Sequence, residues 1–282
     1  MSENDIVCIG SAALDFVFLL DTFPVPDQIS LAHWSKQFCG GSSANVAVGV
    51  SRLGLYAGLV SMVGRDSEGV LLLNKLISEG VDIRGVKIAG KTARTVVLLD
   101  KNGEKTIIAD TECVLKRSDE LPVSCIQGAK ALYIGDCFIP VAEEAVNLAQ
   151  EMGITSFLRV KNVHASFGLD LERVMNRADY VIMNEKASAL IKGHDFTIVT
   201  RGKKGCTCGD IEIEGIPVNS QDTTGAGDAF CAGLMYQIVK GNSLEEALEF
   251  GNAAAALSTT VYGAMDSMPS RETVESLLQV HV

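Results

Sequence analysis

The sequence predicts a single α/β domain built on a mostly parallel sheet with helices on both faces. Strand-like and helix-like patterns alternate along most of the 282 residues, which is typical of parallel sheets covered on both sides. The composition, 47% hydrophobic and 21% charged, is that of a globular protein with a full core. No linker rich in Pro, Gly or Ser and no internal repeat divides the chain, so we expect one domain over residues 1–282.

The individual elements follow from the spacing of the apolar residues. Two predicted helices end at Gly54 and Gly80, and a glycine after the last apolar position is a helix stop signal. The helices are predicted at 44–53, 67–79, 141–151, 225–240 and 244–260. The strands are predicted at 6–10, 58–63, 154–158, 180–183 and 196–200.

Two β-rich segments, at about 14–38 and 92–111, interrupt this alternation. The second segment contains Asn102-Gly103 between two short β-rich runs, and this dipeptide is the strongest short signal for a hairpin. The first segment lacks helical spacing and contains Pro24 and Pro26. We therefore expect both segments to leave the main sheet and to form a small β-sheet together, as a lid.

Charge and composition restrict the possible partners. The net charge of −11, from 24 basic and 35 acidic residues, argues against nucleic acid, whereas a small anion can still bind backbone N–H groups. No apolar stretch is long enough to span a membrane and the N-terminus does not resemble a signal peptide, so we expect a cytoplasmic protein. The eight cysteines indicate a reducing compartment, since even the close pair Cys206 and Cys208 has no ligand partner nearby.

A glycine-rich turn precedes Asp228 and opens a long predicted helix. The run is Asp222-Thr223-Thr224-Gly225-Ala226-Gly227-Asp228. The first N–H groups of a helix lack intrahelical acceptors, and that end carries partial positive charge, so the turn suits a phosphoryl oxygen. A carboxylate is repelled by phosphate but accepts a proton from a hydroxyl, which indicates that Asp228 is a general base. The alternative is an ordinary acidic first turn of a helix.

A second glycine-containing turn, Gly40-Gly41, lies before another predicted helix. Its Asn45 offers a donor and an acceptor to a substrate rich in hydroxyl groups. Asp15 is a lone acidic residue near the end of the first strand, where parallel sheets bind ligands. A plain helix start and a solvated loop carboxylate are the respective alternatives.

The early Gly40-Gly41 with Asn45 and the late 222–228 run resemble the two sequence marks of the ribokinase-like (PfkB) family of carbohydrate kinases. The resemblance extends along nearly the whole chain. Further matching stretches are Val63-Gly64-Arg65-Asp66, Thr200-x-Gly202-x-x-Gly205, the run from Asn252 to Ser258, and Gly263-Ala264.

The resemblance implies a Rossmann-like, three-layer α/β fold with a β-sheet lid, and ATP-dependent phosphorylation of a primary hydroxyl on a small sugar or sugar-like metabolite. ATP and Mg²⁺ are the implied cofactors, and a homodimer formed through the lid strands is implied as well. The implied residues are Asp228 as base, Gly225, Ala226 and Gly227 as anion hole, Asp15, Gly40, Gly41 and Asn45 for the substrate, Asn184, Thr200, Gly202, Gly205 and Asn252 for the nucleotide, and Asp222 near a monovalent cation such as K⁺.

Three departures from the family pattern leave the metal arrangement and the substrate open. Family members often have Asn-x-x-Glu, whereas Asn184 is followed at that place by Ala187, with Glu185 between them. Ala13 stands where sugar-specific relatives often carry a polar residue, and the strand around Arg159 lacks the usual acidic residue. A ketose, a sugar acid or a nucleoside is therefore an acceptable substrate, and a sugar-binding regulator without catalysis is the alternative of another class.

Overall fold

The computed structural model describes residues 4–101, 104–110, 112–118, 121–194 and 196–281. Within these residues, nine strands form one large sheet and four strands form a small sheet. The strands are β1 (Ile6–Ile9), β2 (Ala13–Leu20), β3 (Trp34–Gly40), β4 (Ala57–Val63), β5 (Asp82–Ile88), β6 (Ala93–Asp100), β7 (Lys105–Ala109), β8 (Ala131–Ile134), β9 (Thr155–Val160), β10 (Tyr180–Asn184), β11 (Thr197–Thr200), β12 (Cys206–Cys208) and β13 (Ile211–Ile213).

The large sheet confirms the predicted fold class. Its order is β13-β12-β11-β10-β9-β8-β1-β4-β5, and the strands from β11 to β5 run parallel. Only the hairpin of β12 and β13 at one edge is antiparallel. Because β1 pairs with both β4 and β8, the carboxyl end of the first strand lies in the interior of the sheet and not at an edge.

Helices cover both faces of the large sheet. They are α1 (Ser42–Arg52), α2 (Ser67–Ser78), α3 (Val123–Ile126), α4 (Ile139–Met152), α5 (Gly168–Met175), α6 (Glu185–Ser188), α7 (Ala226–Val239), α8 (Leu244–Ser258) and α9 (Arg271–His281). One core contains residues of α1, α2, α7, α8 and α9, and the other contains residues of α3 to α6. Successive side chains of β1 alternate between these cores, with Ile6 and Cys8 in the first and Val7 and Ile9 in the second.

The small sheet has the order β3-β2-β6-β7 and comes from the two segments that interrupt the alternation. The β2–β3 and β6–β7 pairs are antiparallel, and β2 and β6 are parallel. The predicted hairpin is confirmed by the β6–β7 pairing, while Asn102 and Gly103 at its turn lie outside the described residues. In the part of the chain that the structure describes, no helix is both long and apolar enough to cross a membrane.

Several elements escaped prediction because their sequences carry weak periodicity. β8 is a run of four apolar residues, too short to distinguish a strand from a helix, and all four are buried. β5 and the β12–β13 hairpin lie at the edges of the sheet with mixed burial. The predicted strand at 196–200 begins one residue later, at Thr197. Phe196, just before it, is 58% exposed.

Close packing of small residues brings α7 against α1 and α8. A Cβ added at Gly49 of α1 would lie 2.8 Å from Cβ of Ala232. A Cβ added at Gly233 would lie 2.9 Å from Cα of Gly251. The glycines therefore set the approach of α7, whose first residue follows the turn before Asp228.

The start of α8 is closed by a capping box, and its loss should affect stability without affecting the site. Ser243 Oγ accepts a hydrogen bond from the Glu246 amide, and the Glu246 carboxylate accepts one from the Ser243 amide. We expect Ser243→Ala to lower the free energy of unfolding by about 1 kcal/mol, measured by urea denaturation. Ser276→Ala, at an exposed position in α9, is the control. An unchanged urea midpoint would refute the capping contribution.

Candidate active site

Two helices begin side by side at the centre of the molecule, and Asp228 joins them. Ser42 Oγ, in the first turn of α1, donates to Asp228 Oδ1 at 2.7 Å. Asn45 Nδ2 donates to Asp228 Oδ2 at 2.8 Å. Both carboxylate oxygens thus accept a hydrogen bond from the first turn of α1. The predicted base and the predicted substrate residue Asn45 are therefore in direct contact.

Glycine is required at the starts of both helices. Gly41 and Gly225, which precede α1 and α7, have φ angles of 92° and 85°. A Cβ at Gly41 would lie 2.6 Å from Cα of Ala12, and one at Gly225 would lie 2.9 Å from Cα of Ala264. The turns therefore press against neighbouring backbone, and this leaves the helix ends open to a ligand.

Asp15 is a buried carboxyl group between the small sheet and the turn before α1. It is 7% exposed, accepts a hydrogen bond from Thr95 Oγ1 of β6, and lies against Gly40, where an added Cβ would be 2.1 Å from its Oδ2. Burial raises the pKa of Asp15 to about 6, with a further rise from the Asp228 and Asp222 charges, while the Thr95 hydrogen bond opposes the shift. The resemblance assigns Asp15 to a substrate hydroxyl, from which its carboxyl group would accept a hydrogen bond. Its burial lowers the free energy of unfolding at neutral pH.

Residues at the carboxyl ends of β1, β8 and β9 form a charged group that the sequence reasoning missed. Lys161 Nζ and Asp136 form an ion pair at 2.8 Å, and Ser11 Oγ donates to the same carboxylate at 3.1 Å. Burial raises the pKa of Asp136, but the charge and hydrogen bond of Lys161, together with His164 and Ser11, outweigh it and the net shift is downward. The signal that points to these residues is their position just after parallel strands.

Lys105 is a second residue that the sequence reasoning missed. It begins β7 of the small sheet, and its Nζ lies 3.5 Å from Thr224 Oγ1 in the turn before α7. Burial lowers the pKa of Lys105, although the carboxylates of Asp222 and Asp228 oppose the shift. A cation from the small sheet therefore reaches the place where the sequence predicts an anion.

A cleft of about 500 Å³ lies beside the turn and contains most of the predicted nucleotide residues. Its lining includes Thr200, Gly202, Gly205, Asn252, Ala226 and Gly227. Asn252 Nδ2 donates to the Glu214 carbonyl at 2.8 Å, which fixes the side chain in the wall. The cleft thus connects the predicted nucleotide residues to the predicted anion hole.

Asn184 lies next to this cleft but is not among its lining residues. It pairs with Thr200 in the sheet, and its Oδ1 accepts from the Ala187 amide at 2.8 Å, so it caps α6. Ala187 is fully buried, and Glu185 instead forms an ion pair with Lys204 at 3.3 Å. In the described part of the chain no group of three His, Cys, Asp or Glu residues is arranged to hold a metal ion.

Asp222 ties the turn before α7 to a second loop. Its Oδ1 accepts from the Thr224 amide at 2.8 Å and its Oδ2 from the Gly263 amide at 3.1 Å. A Cβ at Gly263 would lie 2.4 Å from the ring of Phe38 in β3, so this loop also touches the small sheet. The carboxylate has a clear structural role, and a monovalent cation beside it stays a prediction.

Comparison with known proteins identifies the family. The pfkB family carbohydrate kinase profile matches residues 3–190 and 185–271. The chain belongs to the pfkB family of carbohydrate kinases. An ATP-dependent ribose-1-phosphate kinase of Halopiger xanaduensis is 31% identical over 97% of both chains. A nucleoside kinase of Methanothermobacter thermautotrophicus is 29% identical over 95% of this chain and 94% of its own.

The fold of this pfkB-family kinase agrees with that of solved relatives. A crystal structure of ribokinase from Thermotoga maritima superposes with a TM-score of 0.84 at 26% identity, over 98% of this chain and 99% of that one. The family and the ribokinase-like fold that the sequence motifs indicated are both confirmed, and so is the assignment of the chain to the phosphotransferases.

The burial of Asp15 in this pfkB-family kinase predicts a pH-dependent stability. A pKa of about 6 in the folded chain, against 3.8 as the reference value, means that stability falls as the pH rises through this interval. We expect Asp15→Asn to stabilise the fold by about 3 kcal/mol at pH 7.5 but only about 1 kcal/mol at pH 4.5, by urea denaturation.

The matched control is Asp170→Asn, since the Asp170 side chain is 68% exposed and should show no such dependence. An equal gain for Asp15→Asn at both pH values would refute the assigned cause.

Proposed function

We propose that this protein transfers the γ-phosphoryl group of ATP to a primary hydroxyl of a small sugar or sugar-like metabolite, with Asp228 as the base. The observation that carries the proposal is the position of Asp228. Its carboxylate accepts two hydrogen bonds and lies in the first turn of α7, and the Gly225–Gly227 turn lies between it and a nucleotide-sized cleft. A base and an anion site thus lie on adjacent residues.

The cleft side of the turn suits the nucleotide. Ala226 and Gly227 line the cleft at the start of α7, so a terminal phosphate placed there meets the Gly227 amide and the positive end of the helix. Lys105 adds a cation from the other side of the turn. These residues fit ATP without a P-loop, which the sequence does not contain.

The residues present fit a magnesium ion carried by the nucleotide. With Ala187 buried in the core, the protein offers few carboxylates, and Mg²⁺ is commonly held by substrate phosphates and water. When bound, it neutralises phosphate charge during transfer. The protein side of the reaction is then proton removal: Asp228 accepts the hydroxyl proton while the acceptor oxygen attacks the γ-phosphorus in line. The bond between this phosphorus and the bridging oxygen breaks, and ADP leaves with its electron pair.

The acceptor is defined by polar groups around Asp228. Asn45, Asp15 and the Ser11–Asp136–Lys161 group surround it with donors and acceptors that suit several hydroxyl groups. The named relatives include both a sugar-phosphate kinase and a nucleoside kinase, so a nucleoside is the second candidate acceptor. The alternative of a sugar-binding regulator without catalysis is supported only by Ala187, which stands where family members often carry a glutamate.

Asp228→Asn should remove turnover and leave the nucleotide site. The amide cannot accept the hydroxyl proton, so kcat should fall by about two orders of magnitude or more, while the affinity for Mg·ADP changes little. ADP release with Mg·ATP is measured against sugars, sugar acids and nucleosides, and Mg·ADP affinity by calorimetry. Asp210→Asn, at an exposed turn, is the control. Turnover by Asp228→Asn at the wild-type rate would refute the base.

We also propose that two copies pair through their small sheets. β7 is an edge strand, and Ile107 and Ile108 on it are 50% and 61% exposed. Exposed apolar residues on an edge strand favour pairing with another chain. Sedimentation at micromolar concentration should show a dimer that Ile108→Lys converts to a monomer. A monomeric wild type would contradict this proposal.

A further inference from the structure

Arg159 is a buried cation behind the Asp228 turn that the proposed mechanism does not yet use. It lies on β9, where Leu158 and Val160 enter the core beneath α4 and Phe157 enters the core beneath α7. The alternation of side chains therefore points Arg159 toward α7. It is 7% exposed, and its Nε and Nη1 atoms have no hydrogen-bond partner within the described residues.

The guanidinium group lies directly against the turn. A Cβ added at Gly227 would be 2.4 Å from Nη2 of Arg159, so a side chain at this position would displace the guanidinium group. Gly227 lines the nucleotide cleft and Arg159 does not, which places the charge on the opposite side of the turn from the nucleotide. Arg159 thus acts on the phosphoryl site through the turn and not as a direct ligand.

The groups around Arg159 and Asp228 show which negative charge the guanidinium group can balance. Those around Arg159 are Tyr133 and Asp136 from β8 and its end, Lys161 after β9, and Cys231 and Asp228 from α7. Asp228 is further faced by Asp15 of β2, Lys105 of β7, and Ser42 and Asn45 of α1.

Most of these neighbours do not supply a negative charge that balances Arg159. Burial raises the pKa of Tyr133 well above its usual range and that of Cys231 to about 11, so both are neutral at pH 7. Asp136 is already paired with Lys161 at 2.8 Å. A buried arginine without any balancing anion would be strongly destabilising. Asp228 is the remaining carboxylate, and Arg159 does not compete for its two hydrogen bonds, which come from Ser42 and Asn45.

We propose that Arg159 is a positioning residue whose fixed charge keeps Asp228 ionised when a phosphoryl group occupies the turn. An arriving phosphate places negative charge beside the base and favours its protonation, and Arg159 offsets that effect from the opposite side of Gly227. The inference rests on the proposed function of Asp228.

The test compares Arg159→Met, which removes the charge at similar length, with Arg159→Lys, which keeps it. The pH profile of kcat is measured from pH 5 to 9 with both substrates saturating, so that it reports the bound complex. Arg159→Met should move the acidic limb upward by about one pH unit and so lower kcat about tenfold at pH values on that limb, with KM values changed less than about threefold. In Arg159→Lys the acidic limb of the kcat profile should lie close to its pH in the wild type.

Arg52→Met is the matched control. Arg52 is a partly buried arginine at the other end of α1, paired with Glu79 at 2.8 Å, so its loss should lower stability and leave the limb in place. A limb that stays at the wild-type pH in Arg159→Met, or that moves equally in Arg52→Met, would overturn the proposal.

A second readout does not depend on turnover. The carboxyl ¹³C resonance of Asp228, titrated in the presence of Mg·ADP, should show protonation at a higher pH in Arg159→Met than in wild type. If Arg159→Met does not fold, Arg159→Gln is titrated instead, because it also removes the charge, and an unmoved titration would count against the proposal. A wild type that binds Mg·ADP but phosphorylates no acceptor would refute the proposed function, and this titration would still decide the role of Arg159.

Discussion

The rest of the site depends on two hydrogen bonds to one carboxylate. Ser42 and Asn45 reach Asp228 across 186 and 183 residues of sequence, and they can do so only because α1 and α7 begin at the same point above the sheet. Ser11, just after β1, accepts hydrogen bonds from the first turn of α1 and fixes its start there, and the close contact of Gly49 with Ala232 holds α7 beside it. Both helices are then fixed with their positive ends toward one space, and a hydroxyl and a phosphate can meet in it.

Electrostatic balance in this space contrasts with the acidic surface. The chain as a whole carries a net charge of −11, yet Lys105, Arg159 and Lys161 converge on a region that also holds buried carboxylates. Lys105 comes from the small sheet and Arg159 and Lys161 come from the end of β9, far away in the sequence, so the balance exists only in the folded state. Asp15 shows what this arrangement costs, because burial among like charges raises its pKa and thereby reduces stability at neutral pH.

The parts of the site that the sequence predicts are local, and the parts that it does not predict depend on which strands are neighbours. The turns at Gly41 and Gly225 are visible because glycine must occupy their positive φ angles and a helix follows directly. Arg159 is different: it was read only as a departure from a family pattern, because its role depends on the pairing of β9 with β8 and on the approach of α7.

Lys105 was missed for the same reason. The hairpin that contains it was predicted, but no local pattern indicates that its first residue lies against Thr224 across 119 residues of sequence. Likewise the fold class followed from alternating elements, whereas the short strand β8 and the order of the sheet required the tertiary structure. The loop that Asp222 holds through the Gly263 amide also receives the ring of Phe38 from the small sheet. Any movement of the small sheet away from this loop must withdraw the ring, so the small sheet and the turn before α7 are mechanically linked through Asp222.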